Sequence, residues 1–132
     1  MTATLNEIIQ RLKKSFEDDS IKRAVLDSDW YEKNINSGIH STGFCYAASE
    51  VIYRLTGGKD KWKKIAISKD KWELGGHCFL ENKESGEILD ITSDQYALRN
   101  IIIPYDKGKA GGFRTKDFGV KANKLAKMTG LI

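Results

Sequence analysis

Apolar residues open the chain at helical spacing: Leu5, Ile8, Ile9, Leu12 and Phe16 fall on one face. Thr4 and Glu7 stand ahead of them as Thr-x-x-Glu, which predicts an amphipathic helix over 5–17 begun by a capping box. Ser20 is placed to cap a second helix that carries Ile21, Ala24 and Val25 and extends toward Trp30. The run EKNINSGIHSTG (32–43) breaks the period with Asn, Ser and Gly and reads as a loop. STGFCYAASEVIYRLTGG (41–58) then reads as a capped helix. Phe44, Ala48, Val51 and Leu55 form its packing stripe, and Gly57 and Gly58 close it.

Beyond that helix the β-branched content rises. WKKIAIS (62–68) reads as a strand, and LGGHCFLEN (74–82), the polar tip Lys83–Gly86 and EILDIT (87–92) read as a hairpin. SDQYALRN is a short helix and IIIP a further strand that ends at the only proline. YDKGKAGGFRT is a glycine-rich basic loop. The segment from about 117 to 129 is a Lys-rich helix with Phe118, Ala122, Leu125 and Ala126 turned inward. No repeat or linker interrupts the 132 residues, so one α+β domain is expected. Its N-terminal helical part is 1–42, its core 43–103, and its basic loop and helix 104–132. The Cys-bearing helix and the N-terminal helices pack on a small antiparallel sheet.

No apolar run approaches the roughly 20 residues of a membrane span. MTATLNEIIQRLKK puts its charges after its apolar residues, unlike a secretory signal. Two cysteines allow at most one bridge, so reduced thiols in a cytoplasm are expected. With no CxxC and no close Cys/His cluster, neither zinc nor another cofactor is called for. The net charge of +4 is uneven. From Pro104 to Ile132 seven Lys/Arg stand against Asp106 and Asp117, a net +5, which leaves −1 for the first 103 residues. Such a tail suits an anionic partner, or simply makes a solvated helix face.

The hairpin carries one of the two histidines, His77, together with Asp90. Strand side chains alternate, so the loop length decides whether the two share a face. A four-residue loop over Lys83–Gly86 makes them diagonal neighbours, and a two-residue turn at Lys83-Glu84 sets them directly opposite. A three-residue loop separates them. In the even registers Cys78, Leu80, Leu89 and Ile91 form one face, and His77, Phe79, Ile88 and Asp90 the other. The second face needs a cover, and the Cys45 helix is the expected one.

Cys45 would then meet His77, with Asp90 behind the ring. A helix N-terminus and an imidazolium both favour a thiolate over a thiol. The histidine can protonate a leaving group, and the carboxylate can fix its tautomer. The backbone N–H of Cys45 is a donor for an oxyanion. A side-chain co-donor is sought among Trp30, Tyr31, Asn34, Asn36 and His40.

Gly43-Phe-Cys-Tyr-x-Ala…Leu-x-Gly-Gly58, followed by Gly76-His-x-Phe…Gly-x-Ile-Leu-Asp-x-Thr92, resembles the transglutaminase-like branch of the papain-like cysteine protease superfamily. The resemblance covers about residues 43–92 and implies a papain-like fold. It implies Cys45 as nucleophile, His77 as base and Asp90 as orienting acid. Ile91 stands where that family commonly has a proline. From Gly43 onward the chain is also similar to a group of small proteins common in bacterial and phage genomes. They share CY-x-A-S-E, Leu-Asp-x-Thr-x-Asp-Gln-aromatic, Gly-Phe-x-Thr and a basic last helix. That likeness brings no substrate; for a phage protein the compartment would be the cytoplasm of a bacterial host.

The expected function is therefore a cysteine-dependent hydrolase or acyltransferase that acts on an amide bond through a thioester, with a peptide, protein or small amide as substrate. Trp30, His40, Asp94, Gln95, Lys107, Lys109 and Lys116 are the candidate substrate contacts. Plainer readings exist for several: His40 as loop filler and Asp94-Gln95 as a helix cap, while Lys107–Gly112 resembles an anion nest in composition only; Trp62 and Trp72, flanking a Lys-rich stretch, read as strand packing over base-stacking platforms. Cys78 is read as structural. The alternative function is a non-enzymatic module whose basic tail binds nucleic acid, a nucleotide or a host protein.

Overall fold

The computed structural model describes residues 3–72 and 76–132. Leu74 and Gly75 of the expected first hairpin strand lie outside the described residues, as do Met1 and Thr2 at the start. The described residues form an α+β domain in which helices pack against a four-stranded antiparallel sheet.

Three short helices come first: α1 (Leu5–Ser15), α2 (Asp19–Val25) and α3 (Ser28–Ser37). Each begins at an oxygen side chain that takes up orphan backbone N–H groups. Thr4 Oγ1 accepts from the Glu7 N–H, Asp18 from those of Ser20 and Ile21, and Asp27 from that of Trp30. The expected second helix is corrected here. Asp18 is its cap, and Ser20 serves as a donor to it. A carboxylate also suits the positive end of a helix, which a hydroxyl does less well. Leu26 is extended, so the chain restarts at Asp27, and Trp30 belongs to α3. Residues 32–37, read as loop, are the end of that helix; Gly38, at φ 69°, closes it.

Helix α4 (Cys45–Leu55) follows without a side-chain cap, because its N-cap residue is Phe44, which carries no acceptor; the Ser41 hydroxyl earlier in the loop bonds to Asp94. Its stripe is as spaced in the sequence: Phe44, Ala48 and Val51 are fully buried with Ile52, and Leu55 is half-buried. Phe44 stacks on Phe16 of the first segment at 4.6 Å between ring centres.

Strands β1 (Trp62–Ile67), β2 (His77–Asn82) and β3 (Ile88–Leu89) form a meander, and β4 (Lys109–Gly111) adds to the free side of β1, giving the order β3-β2-β1-β4. A short helix α5 (Asp94–Ala97) lies between β3 and β4, and α6 (Val120–Met128) ends the domain. Residues 101–104, read as a strand, make no ladder. The strand lies instead within the stretch read as a glycine-rich loop. Gly108 explains this: a Cβ there would collide with Ile65 and come within 3.3 Å of Phe79 Cζ. Only a residue without a side chain lets the chain settle onto β1 and begin pairing.

The sheet separates two apolar clusters. Leu80 and Trp62 join the side chains of α1, α2, α4 and α6 on one face. Ile65, Ile67 and Phe79 form the other cluster with Trp72, Ile103 and Tyr105. Helix α4 therefore covers the Cys78/Leu80 face, contrary to expectation. The His77/Phe79 face is closed by Trp72 and the chain around Ile103–Tyr105, with Tyr96 of the short α5 against His77.

Glu50 fastens the C-terminal segment. It is 2% exposed, and Oε2 accepts from Arg54 Nε at 3.2 Å and from the Gly119 N–H at 2.9 Å. Arg54 in turn donates to the carbonyls of Thr115, Lys116 and Asp117. Gly119 is the N-cap of α6 and has no side chain to cap with, so Glu50 supplies the acceptor from a neighbouring helix. Replacing Glu50 with Ala removes the acceptor shared by Arg54 Nε and the Gly119 amide, while Arg54 keeps its carbonyl partners, and should cost about 1–3 kcal/mol in urea unfolding. Glu50→Gln, which keeps an acceptor oxygen, should cost less.

Candidate active site

Cys45 is the first residue of α4 and His77 the first of β2, so a helix start and a strand start converge at one end of the sheet. Because α4 packs on the opposite face, Cys45 does not lie over the His77/Phe79 surface, and the two residues bear on each other from different layers. The hairpin register is one of the two that the sequence allowed. Leu80 pairs with Leu89 and Glu81 with Ile88, which leaves Lys83–Gly86 as the four-residue loop. Asn82 Oδ1 accepts the N–H groups of Glu84 and Ser85, and Gly86 takes the positive φ of 75° that closes the turn. β3 is only two residues long, not the six of EILDIT, and Asp90 directly follows it.

The His77 side chain is wholly buried, and its Nε2 lies 2.6 Å from Asp90 Oδ2. A carboxylate only accepts here, so Nε2 carries the proton. Asp90 Oδ1 accepts from the Thr92 N–H at 3.3 Å and the Thr92 hydroxyl at 3.4 Å, and Oδ2 accepts also from the Tyr105 hydroxyl at 3.0 Å. Tyr96 stands edge-on to the imidazole at 4.9 Å and 76°. Nδ1 is buried with no hydrogen-bond partner, although Cys45 is close enough to bear on the ring electrostatically. Burial opposes a charge on His77. The bond with Asp90, together with the influence of Cys45 close by, outweighs it and pushes the ring up from 6.5 to about 9.

The two cysteines are both free, and differ. Cys45 is half-buried at its helix start. Cys78 is 5% exposed, and burial pushes its thiol up to about 12. Among the described residues no three His, Cys, Asp or Glu side chains are grouped as metal ligands would be.

The substrate candidates are scattered. Trp30, 38% exposed, packs on Gly43 two residues ahead of Cys45; a Cβ at Gly43 would be 3.3 Å from its ring. Asp94 accepts from the buried Ser41 hydroxyl and so ties α5 to the loop before Cys45; it does not cap α5. Gln95 is buried with its Nε2 unpartnered. His40 is exposed and bonded to Lys22 Nζ at 2.8 Å. Lys107 and Lys109 line an open cavity of about 520 Å³ with Asp70, Lys71 and Asp106, and Lys116 is an exposed loop residue whose carbonyl meets Arg54. Two of the proposed oxyanion co-donors are spent elsewhere. Asn34 Nδ2 donates to the carbonyls of His40 and Thr42, and the Tyr31 hydroxyl donates to Asp19.

Sequence reasoning missed Tyr96 and Tyr105 as neighbours of the imidazole–carboxylate pair. Tyr96 stood in a quoted motif as a bare aromatic position. Tyr105, 15 residues past Asp90, follows a proline and carries no local signal.

No family model, no curated protein and no solved structure matches this chain.

The raised His77 value fixes the sign of a pH effect. The imidazolium–carboxylate pair stabilises the fold in full below about pH 6.5, the ordinary value, and this contribution is lost as pH rises through about 9. An imidazole NMR titration should therefore place the His77 midpoint near pH 9. Asp90→Asn should lower that midpoint and destabilise by about 1.5–3 kcal/mol at pH 6, with a smaller deficit at pH 9.5.

Proposed function

We propose that the chain is a cysteine-dependent hydrolase or acyltransferase, with Cys45 as nucleophile, His77 as acid and base, and Asp90 as the group that orients the ring. The single observation that carries this reading is the buried His77–Asp90 bond of 2.6 Å, made by Nε2, which leaves the ring's other nitrogen for the sulfur of Cys45. A buried Nδ1 with no partner of its own, on a ring fixed by a carboxylate at Nε2, supports a reacting imidazole over a purely structural one. Perturbed titration in such a cluster is a mark of reacting sites.

The chemistry follows from the order of groups. Cys45 Sγ attacks the carbonyl carbon of an amide while the backbone N–H groups at the start of α4 face the developing oxyanion. The C–N bond breaks, the His77 proton passes to the departing amine, and a thioester remains on Cys45. Water or a second amine then attacks the thioester and gives its proton to His77. The new acyl bond forms as the C–S bond breaks, and the thiolate–imidazolium pair is restored. The small antiparallel sheet, the Cys-bearing helix and the His…Asp hairpin support a papain-like fold of the transglutaminase-like kind. A cytoplasmic setting suits a thiol that must stay reduced.

A binding module built on the basic tail has less support. Lys121 faces Asp27 at 3.5 Å, and Lys107 and Lys109 share their cavity with Asp70 and Asp106. Part of the positive charge is thus already answered within the chain.

The test is chemical and needs no substrate. At pH 7 iodoacetamide should label Cys45 faster than free cysteine and leave Cys78 unmodified, as read by peptide mass spectrometry. His77→Ala should slow that labelling about 10-fold or more with the circular dichroism spectrum unchanged. Labelling of Cys45 no faster than a free thiol would remove the basis for a nucleophile. Once a substrate is in hand, Cys45→Ala should abolish turnover and His77→Ala should cost about 10²–10⁴-fold.

A further inference from the structure

The residue that the His77–Asp90 pair does not explain is Tyr105. Its hydroxyl donates to Asp90 Oδ2 at 3.0 Å, the same oxygen that His77 Nε2 meets at 2.6 Å. The ring is held from two sides. Its edge packs on Phe79 at 4.9 Å between ring centres and 77°. The turn that carries it, Tyr105–Lys107, is closed by the Gly108 N–H bonding to the Tyr105 carbonyl at 3.1 Å. Gly108 itself is pressed against Ile65 and Phe79, so the turn is docked on the sheet and the hydroxyl has little room to move. Burial and the Asp90 charge both hold the phenol far above its ordinary range, so it remains a donor at every working pH.

Building on the proposed role of His77, we infer that Tyr105 is a positioning residue: its hydroxyl occupies the outer side of Asp90 Oδ2 and sets how strongly that carboxylate acts on His77. Thr92 holds the other carboxylate oxygen through weaker bonds of 3.3 and 3.4 Å. The carboxylate is thus clamped with Oδ2 aimed at Nε2. The phenolic hydrogen places positive charge against the oxygen that faces the ring and offsets part of its field. This fixes the proton on Nε2 while keeping the imidazolium from being held too tightly to give its proton to a departing amine. The other charged or titratable groups that bear on the ring are Cys45 and Asp90; Tyr96 touches it edge-on.

The experiment reads the His77 NMR titration in the full chain, with two changes at Tyr105 that keep the ring. Tyr105→Phe removes the donor and should move the midpoint up by about half a pH unit. Site-specific replacement of Tyr105 by 3,5-difluorotyrosine, a stronger donor of the same shape, should move it down. Opposite signs from two nearly isosteric rings are not what a packing role produces. A midpoint that stays put in both variants, or moves the same way in both, overturns the inference. Thermal melts confirm that each variant is folded before it is titrated. The titration does not depend on Cys45 being a nucleophile, so its outcome is separate from that of the alkylation test.

Discussion

A buried imidazole keeps a proton only where a carboxylate stands against it, and the bond between His77 Nε2 and Asp90 Oδ2 is the contact around which this end of the domain is arranged. Both partners are almost wholly out of water. Desolvation alone would discharge the ring, so every device that fixes Asp90 also preserves the charge on His77. Those devices come from different parts of the chain: the Asn82-pinned hairpin loop sets the register, Thr92 holds one oxygen, and Tyr105 reaches the other from beyond α5.

Helix α4 carries Cys45 at its start and also organises the rest of the fold. Tyr46 accepts the Arg114 N–H at 2.8 Å, Ser49 donates to the Cys78 carbonyl at 3.4 Å, and Glu50 caps α6. One short run, Cys45 to Glu50, thus contacts the C-terminal loop, the β2 strand and the last helix. A motif with that many polar residues on a core helix has a structural cause for most of them.

Much of this was legible from the chain. The stripes of α1, α4 and α6, the strand at 62–67 and the hairpin follow from periodicity, because burial of one face imposes it. The pairing of His77 with Asp90 was readable as a condition on loop length, and the four-residue loop met it. Three things were hidden. The helix break at Leu26–Asp27 depends on which of several oxygen side chains wins the cap. β4 sits among glycines that read as loop and pairs only because Gly108 can approach Ile65. The face covered by α4 was misjudged because irregular chain around Ile103–Tyr105, with no period to detect, fills the other one. Tyr105 became part of the site by that same route.

The central claim is that Cys45, His77 and Asp90 act as one unit, and a double-mutant cycle on the alkylation rate of Cys45 tests it most directly. If the carboxylate works only through the ring, the His77→Ala/Asp90→Asn pair should be no slower than His77→Ala alone. Two losses that simply multiply would mean the groups act independently, and the proposed relay from carboxylate to ring to sulfur would be wrong.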